Sequence, residues 1–179
     1  MVARGADSVP GPPPPLWPVV VVLVVAVGVY AATCARTVTL VDSGELVVAC
    51  ATAGVAHPPG FPVYTMVGNL FSRIPVGSVA FRLSLMSALF AALTAAIVAL
   101  VVGEVAPGPG KVVAKGKKGR GGAEPKEEED GAARNLQLGV ALPQLGAGLT
   151  LAFSLTLWGY ATVAEVYSLN LTLVAGGMW

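Results

Sequence analysis

Apolar residues fill this chain in long blocks, and the polar residues gather between them. The first block, Leu16 to Ala35, holds twenty residues without a charge, enough to span a bilayer at about 1.5 Å of rise per residue. It predicts a transmembrane helix over 16–35, with Trp17 and Tyr30 near its two interfaces. A signal peptide is the rival reading, but its apolar region usually runs ~7–15 residues, and Thr33-Cys34-Ala35 is a poor cleavage site. The second block, 79–102, carries only Arg82, close enough to its start to snorkel to the interface. Ser84, Ala88, Ala92 and Ala96 recur every four residues, as do Ser87, Ala91, Ala95 and Ala99. Such rows let neighbouring helix backbones approach closely. The third block, 135–158, includes Gln137, Pro143 and Gln144, and Pro143 predicts a kink or an irregular start. A fourth block opens within 159–179 and stops short of a span. The pattern predicts an all-α, multi-pass membrane protein with three spans and a truncated fourth.

The intervening segments divide by composition. Residues 1–15 are rich in Gly and Pro and predict a disordered cytoplasmic N-terminus. The loop 36–78 predicts two short helices. One runs from Ser43 to Thr52 behind Asp42, and one starts at Pro62, a residue suited to a first helical position. In the latter, Val63, Met66, Val67, Leu70, Phe71 and Ile74 form an apolar stripe, with Tyr64, Asn69, Ser72 and Arg73 off it. That amphipathic helix either lies flat in the headgroup region or packs its stripe on protein. Residues 103–134 contain Lys115-Gly116-Lys117-Lys118-Gly119-Arg120 and Glu127-Glu128-Glu129-Asp130, which predict a solvated, disordered loop.

Composition narrows the class. Of 179 residues, 55% are hydrophobic and 12% charged, against about 25% charged in a soluble domain. Seven of the eleven Lys and Arg fall within 103–134, which marks that loop as cytoplasmic and the 36–78 loop as luminal. The net charge of +1 comes with no basic face interleaved with aromatics, so no nucleic-acid partner is expected. Cys34 and Cys50 supply at most one bridge and predict two free thiols. No Gly-rich phosphate loop, CxxC pair or Ser–His–Asp pattern occurs.

The same topology carries Asp42, Glu45, His57, Arg82 and Glu165 to one membrane face. Asp42 and Glu45 have the spacing of a helix cap and its N3 partner, a capping box. Alternatively, a carboxylate at the membrane–water boundary serves as a general base for an acceptor hydroxyl. His57, the sole histidine, precedes two prolines and is either a structural hydrogen-bonding group or part of a site. Arg82 is placed to neutralise a lipid phosphate or simply to snorkel. Glu165 and Tyr167 suit either a site or an interface. Asn170-Leu171-Thr172 is a glycosylation sequon set too close to the fourth block to be used.

The blocks Asp42-Ser43-Gly44-Glu45-Leu46 and Gly54-Val55-Ala56-His57-Pro58-Pro59-Gly60-Phe61-Pro62-Val63-Tyr64 resemble an opening signature of the transmembrane protein 260 type protein O-mannosyltransferases and their bacterial relatives. Arg82-Leu83-Ser84-Leu85-Met86-Ser87-Ala88-Leu89-Phe90, Trp158, and Ala164-Glu165-Val166-Tyr167-Ser168-Leu169-Asn170 extend the resemblance. It implies a GT-C-like, multi-pass enzyme of the endoplasmic reticulum membrane. Such an enzyme moves mannose from dolichyl phosphate mannose, with inversion, to Ser or Thr of receptor ectodomains, notably the IPT domains of plexin-like receptors. The resemblance implies Asp42 as catalytic base and Arg82 as phosphate partner, with Glu45, His57, Glu165 and Tyr167 in substrate binding or loop support. It implies no metal and no cofactor beyond the lipid donor. The family has more membrane helices, so the chain is expected to be an N-terminal portion that needs further helices to complete a pocket. The readings kept beside it are a non-catalytic membrane subunit, an inactive truncated isoform and a transporter fragment. The last would need acids at mid-membrane depth, which the three spans lack.

Overall fold

The computed structural model describes residues 13–39, 42–106 and 126–179, all helix or loop. The described helices are α1 (Trp17–Thr33), α2 (Ser43–Thr52), α3 (Pro62–Ser72), α4 (Val79–Val105), α5 (Lys126–Ala152), α6 (Leu155–Ala161) and α7 (Tyr167–Met178). The expectations for 1–12 and for the Lys115–Arg120 patch lie outside the described residues. The rest of the expected charged loop differs from the reading above. Helix α4 continues to Val105 and α5 begins at Lys126, so its two flanks are helical rather than disordered.

Helix α4 is the centre of the bundle. Both rows of small residues are buried: Ser84, Ala88, Ala92 and Ala96 on one, Ser87, Ala91, Ala95 and Ala99 on the other. Without side-chain bulk, α1, α5, α6 and α7 all close onto α4. One end of the bundle is fixed by Gly103, beside which stand Gln144 of α5 and Pro14. At the other end the Ala35 N–H donates to Thr162 O at 2.7 Å, and Ser78 Oγ donates to Arg36 O at 2.7 Å. Thus α1 and α4 run antiparallel. Helix α7 runs parallel to α4: Ser87 pairs with Glu165 and Thr94 with Thr172, each 78 residues apart. Thr172 Oγ1 also lies 2.6 Å from Phe90 O, so the hydroxyl of the sequon is spent inside a helix contact.

By length and apolar character α4 is the one described helix that alone suffices to cross a membrane, and the bent pair α5–α6 makes a second if taken as one span. Helix α1 is apolar but 17 residues long, shorter than the 16–35 expected. Pro143 does not break its helix, which runs on through it to Ala152. The break comes at Phe153–Ser154, where α6 departs by 63°. A break among apolar helices frees backbone carbonyls that water does not reach. Tyr30 Oη donates to Ala152 O at 2.5 Å, and Ser154 Oγ accepts from the Leu157 N–H. Tyr30 is therefore a fully buried partner of the break. Trp17 is exposed.

Residues 42–78 form a cap over the Ala35/Ser78 end. Helix α2 packs on α3 and α4 through Leu46, Val47 and Cys50, with Ala56, Tyr64, Leu83, Met86, Ala164 and Val166 in the same core. Two close contacts set α2 against α3. Gly68 faces Cys50, so that a Cβ on it would meet Cys50 Sγ, and Asn69 Nδ2 donates to Cys50 O at 2.8 Å. Cys34 and Cys50 are both free thiols, as expected.

Candidate functional site

Helix α2 starts at Ser43, and the side chain of Asp42 just before it does not cap it. The residue has helical φ and ψ (−81°, −4°), and its carboxylate makes no cap hydrogen bond. The capping box fails at its second member too, because Glu45 turns away from the helix end. Glu45 Oε1 accepts from the His57 N–H at 2.5 Å, and Oε2 lies 3.0 Å from His57 Nδ1. A carboxylate only accepts, so Nδ1 carries the proton in this contact. These bonds hold the Glu45 carboxyl below the usual glutamate range, the His57 side-chain bond first and its backbone bond second.

His57 opens a tight turn. The Gly60 N–H donates to His57 O at 2.7 Å, Gly60 sits at φ +87°, and the His57 ring meets Phe61 edge-on at 5.5 Å. Phe61 at φ +44° then leads into α3, where Pro62 takes the first helical position as expected. The stripe of α3 splits. Val63, Met66, Leu70 and Ile74 are exposed, and Val67 and Phe71 pack against the core. The buried face of α3 is the one off the stripe: Tyr64, Thr65 and Gly68.

Glu165 lies in the α6–α7 connection, half-buried. Its N–H and C=O both lie 3.3 Å from Ser87 Oγ on α4, which fixes the segment over the bundle end. Burial pushes the Glu165 carboxyl up, and the Asp42 charge pushes it further in the same direction. Asp42 and Glu165, 123 positions apart in sequence, therefore feel one another across the site. Tyr64 reaches the same place from α3. Its hydroxyl is buried without a hydrogen bond of normal geometry, with Ser87 beside it and Glu165 close enough for its charge to bear on it.

Arg82 stands apart. Its Nε donates to Val76 O at 2.8 Å, Nη1 to Ser72 O at 2.5 Å and Nη2 to Gly77 O at 2.9 Å. The guanidinium thereby ties the end of α3 to the start of α4, and a lipid phosphate would compete with three backbone carbonyls for it. Tyr167 is exposed and stacks at 4.5 Å on Tyr160. No group of three or more His, Cys, Asp or Glu assembles among the described residues.

The arrangement is one exposed carboxylate whose charge bears on a second, half-buried carboxyl, and a turn clamped by an acid–imidazole pair. Sequence reasoning named all four of those residues. It missed Tyr64, whose sole signal was its place in the motif after Pro62 and off the apolar stripe.

The family model for the protein O-mannosyl-transferase TMEM260 N-terminal domain matches residues 42–179. The mouse protein O-mannosyl-transferase TMEM260 is 44% identical over 66 residues, covering 36% of this chain and 9% of the mouse protein. The Dictyostelium discoideum protein O-mannosyl-transferase tmem260 is 40% identical over 68 residues, covering 36% of this chain and 8% of that protein. The match thus spans less than a tenth of the length of either relative. No solved structure matches.

Proposed function

We propose, because this chain belongs to the protein O-mannosyl-transferase TMEM260 N-terminal domain family, that it forms the acceptor-activating part of a membrane protein O-mannosyltransferase. Asp42 is the general base. The observation that carries the reading is the exposed Asp42 carboxylate, free of any cap bond at the start of α2 and near enough for its charge to bear on Glu165. A carboxylate serving only as a cap would be bound to the helix end.

In this reading the acceptor Ser or Thr hydroxyl attacks the anomeric carbon of mannose while Asp42 takes its proton. The bond from that carbon to the dolichyl phosphate oxygen breaks, and the phosphate leaves with the electron pair. Direct attack inverts the anomeric centre. The phosphate is a competent leaving group without a metal. Glu165 stands across from Asp42 as the second carboxyl, positioning the acceptor. Glu45 and His57 keep the loop in shape. The exposed apolar edge of α3, Val63, Met66 and Leu70, suits a helix lying in the headgroup layer, where a lipid donor and an aqueous acceptor meet. The enzyme would be GT-C-like, act in the lumen of the endoplasmic reticulum and use receptor ectodomains such as IPT domains as acceptors. Further membrane helices would complete the donor site.

Replacing Asp42 by Asn in the full-length protein tests the assignment. Asn leaves size and capping capacity unchanged but accepts no proton. Transfer is expected to fall by about 10²–10⁴-fold, the range of a lost general base, with expression and melting unchanged. Full activity of Asp42→Asn would refute the base and leave the reading of a non-catalytic membrane subunit.

A further inference from the structure

Tyr64 is nearly fully buried, at 3% exposure, and its ring belongs to the core beneath the cap. A phenol in such a place normally finds a partner, because an unpaired buried hydroxyl costs free energy that a phenylalanine would avoid. Tyr64 has none: Ser87 Oγ is beside it, but no bond of normal length and angle joins them. Ser87 is itself committed to the backbone of Glu165 on both sides. Three elements far apart in sequence, α3, α4 and the α6–α7 connection, therefore converge with one donor left over.

We propose that Tyr64 is a positioning residue, whose phenol donates to Ser87 and through it sets the Glu165 segment opposite Asp42 when an acceptor enters the site. This rests on the reading of Asp42 and Glu165 as the working carboxyls. The phenol is suited to be a donor: burial keeps it protonated, and Glu165 acts in the same sense. Ser87 Oγ has lone pairs to accept while its own proton goes to Glu165 O. The resulting chain, Tyr64 to Ser87 to the Glu165 backbone, runs from the buried face of α3 to the open face of the site. Tyr64 touches no reacting atom in this scheme.

The test is a double-mutant cycle in the full-length protein with Tyr64→Phe and Glu165→Gln, read both as melting in detergent and as transfer kinetics. The phenylalanine keeps the ring packing and removes an unpaired hydroxyl, so melting is expected to stay level or rise. Transfer by Tyr64→Phe is expected to fall about tenfold or more in kcat, the scale on which small misplacements act, with the KM for acceptor unchanged. The double variant is expected to be no slower than Glu165→Gln alone, because both changes disable one device. Additive losses, or unimpaired kcat in Tyr64→Phe while Asp42→Asn is inactive, overturn the positioning role and leave the base intact. If Asp42→Asn is fully active, the base assignment fails by itself, and the Tyr64 proposal is then decided by the melting cycle: coupling between Tyr64 and Glu165 sustains the link, and independence sinks it. Should Tyr64→Phe fail to fold, Ser87→Ala removes the same relay from α4, and unimpaired kcat there overturns it equally.

Discussion

The Glu45 carboxylate holds two donors of His57, the backbone N–H and the imidazole Nδ1, across twelve positions of chain. That pair, not the helix end, is what Glu45 is for. It joins the first turn of α2 to the turn that launches α3, and so fixes the distance between Asp42 and the loop. Gln at position 45 can still accept from the N–H and can donate to Nδ1 in the other tautomer, whereas Ala can do neither. Glu45→Gln is therefore expected to transfer at close to the parent rate at neutral pH. Glu45→Ala is expected to lose up to about 10²-fold through misplacement of the loop. The Glu45 carboxyl is held below its ordinary value by these bonds. Its contribution to stability is thus present above the unfolded value of about 4.3 and is lost as pH falls through the lowered folded value. Melting of parent and Glu45→Gln in detergent between pH 3 and 7 checks this: only the parent should lose stability from this source at the acid end.

Glu165 has the opposite sign. Burial and the Asp42 charge raise its carboxyl above the ordinary value, so the folded state binds the proton more tightly than the unfolded chain. Its favourable share is full below the unfolded value and disappears as pH rises through the raised folded value. At neutral pH an acid at position 165 is a burden the fold carries for the site. Glu165→Gln is expected to melt higher than the parent at pH 7, with the difference vanishing below about pH 4, while transfer falls. A parent whose melting advantage grew with pH would contradict the sign.

The helices were legible in the sequence because apolar length and Pro/Gly punctuation are local signals. Pro62 placed the start of α3, and the four-residue rows of Ser and Ala identified α4 as the helix others close upon. The site was legible only as a list of residues. The spacing of Asp42 and Glu45 is the same for a capping box as for two independent carboxylates, and what separates them is His57, a tertiary partner. Arg82 reads as a free cation until the carbonyls of Ser72, Val76 and Gly77 are seen around it. Tyr64 counted as off the apolar stripe, and the inward face of α3 proved to be the one off the stripe. Pro143 was visible and the break at Phe153–Ser154 was not, since a break is tolerated where polar atoms from elsewhere reach the freed carbonyls.

Tyr30 Oη is bound to Ala152 O in a fully buried setting, and Phe at position 30 would leave that carbonyl without its donor. The cost is about 1–3 kcal/mol for an orphaned buried acceptor. Tyr30→Phe is expected to lower melting in detergent and to speed hydrogen exchange around 152–155, with little change around 43–52. Equal melting of the two proteins would mean that the break is satisfied by other means.

The contact between Gly68 and Cys50 is the tightest constraint on the cap. A Cβ on Gly68 would stand 2.3 Å from Cys50 Sγ, inside any permitted approach, and 3.0 Å from Cys50 Cβ, a tight contact. The helices α2 and α3 would have to part, and with them Asn69 would lose its bond to Cys50 O. Overpacking of this kind costs about 1–3 kcal/mol. Gly68→Ala is expected to destabilise the cap and to slow transfer by moving Asp42 relative to Glu165. Burial pushes the Cys50 thiol up to about 11, so at neutral pH it acts as a small apolar group, and its sulfur is dispensable where space is needed. Cys50→Ala removes the nearer of the two clashing atoms. The double variant Gly68→Ala, Cys50→Ala is therefore expected to recover most of the melting temperature and of the transfer rate lost in Gly68→Ala alone. Rescue of melting without rescue of transfer would place the α2–α3 spacing outside the determinants of the site.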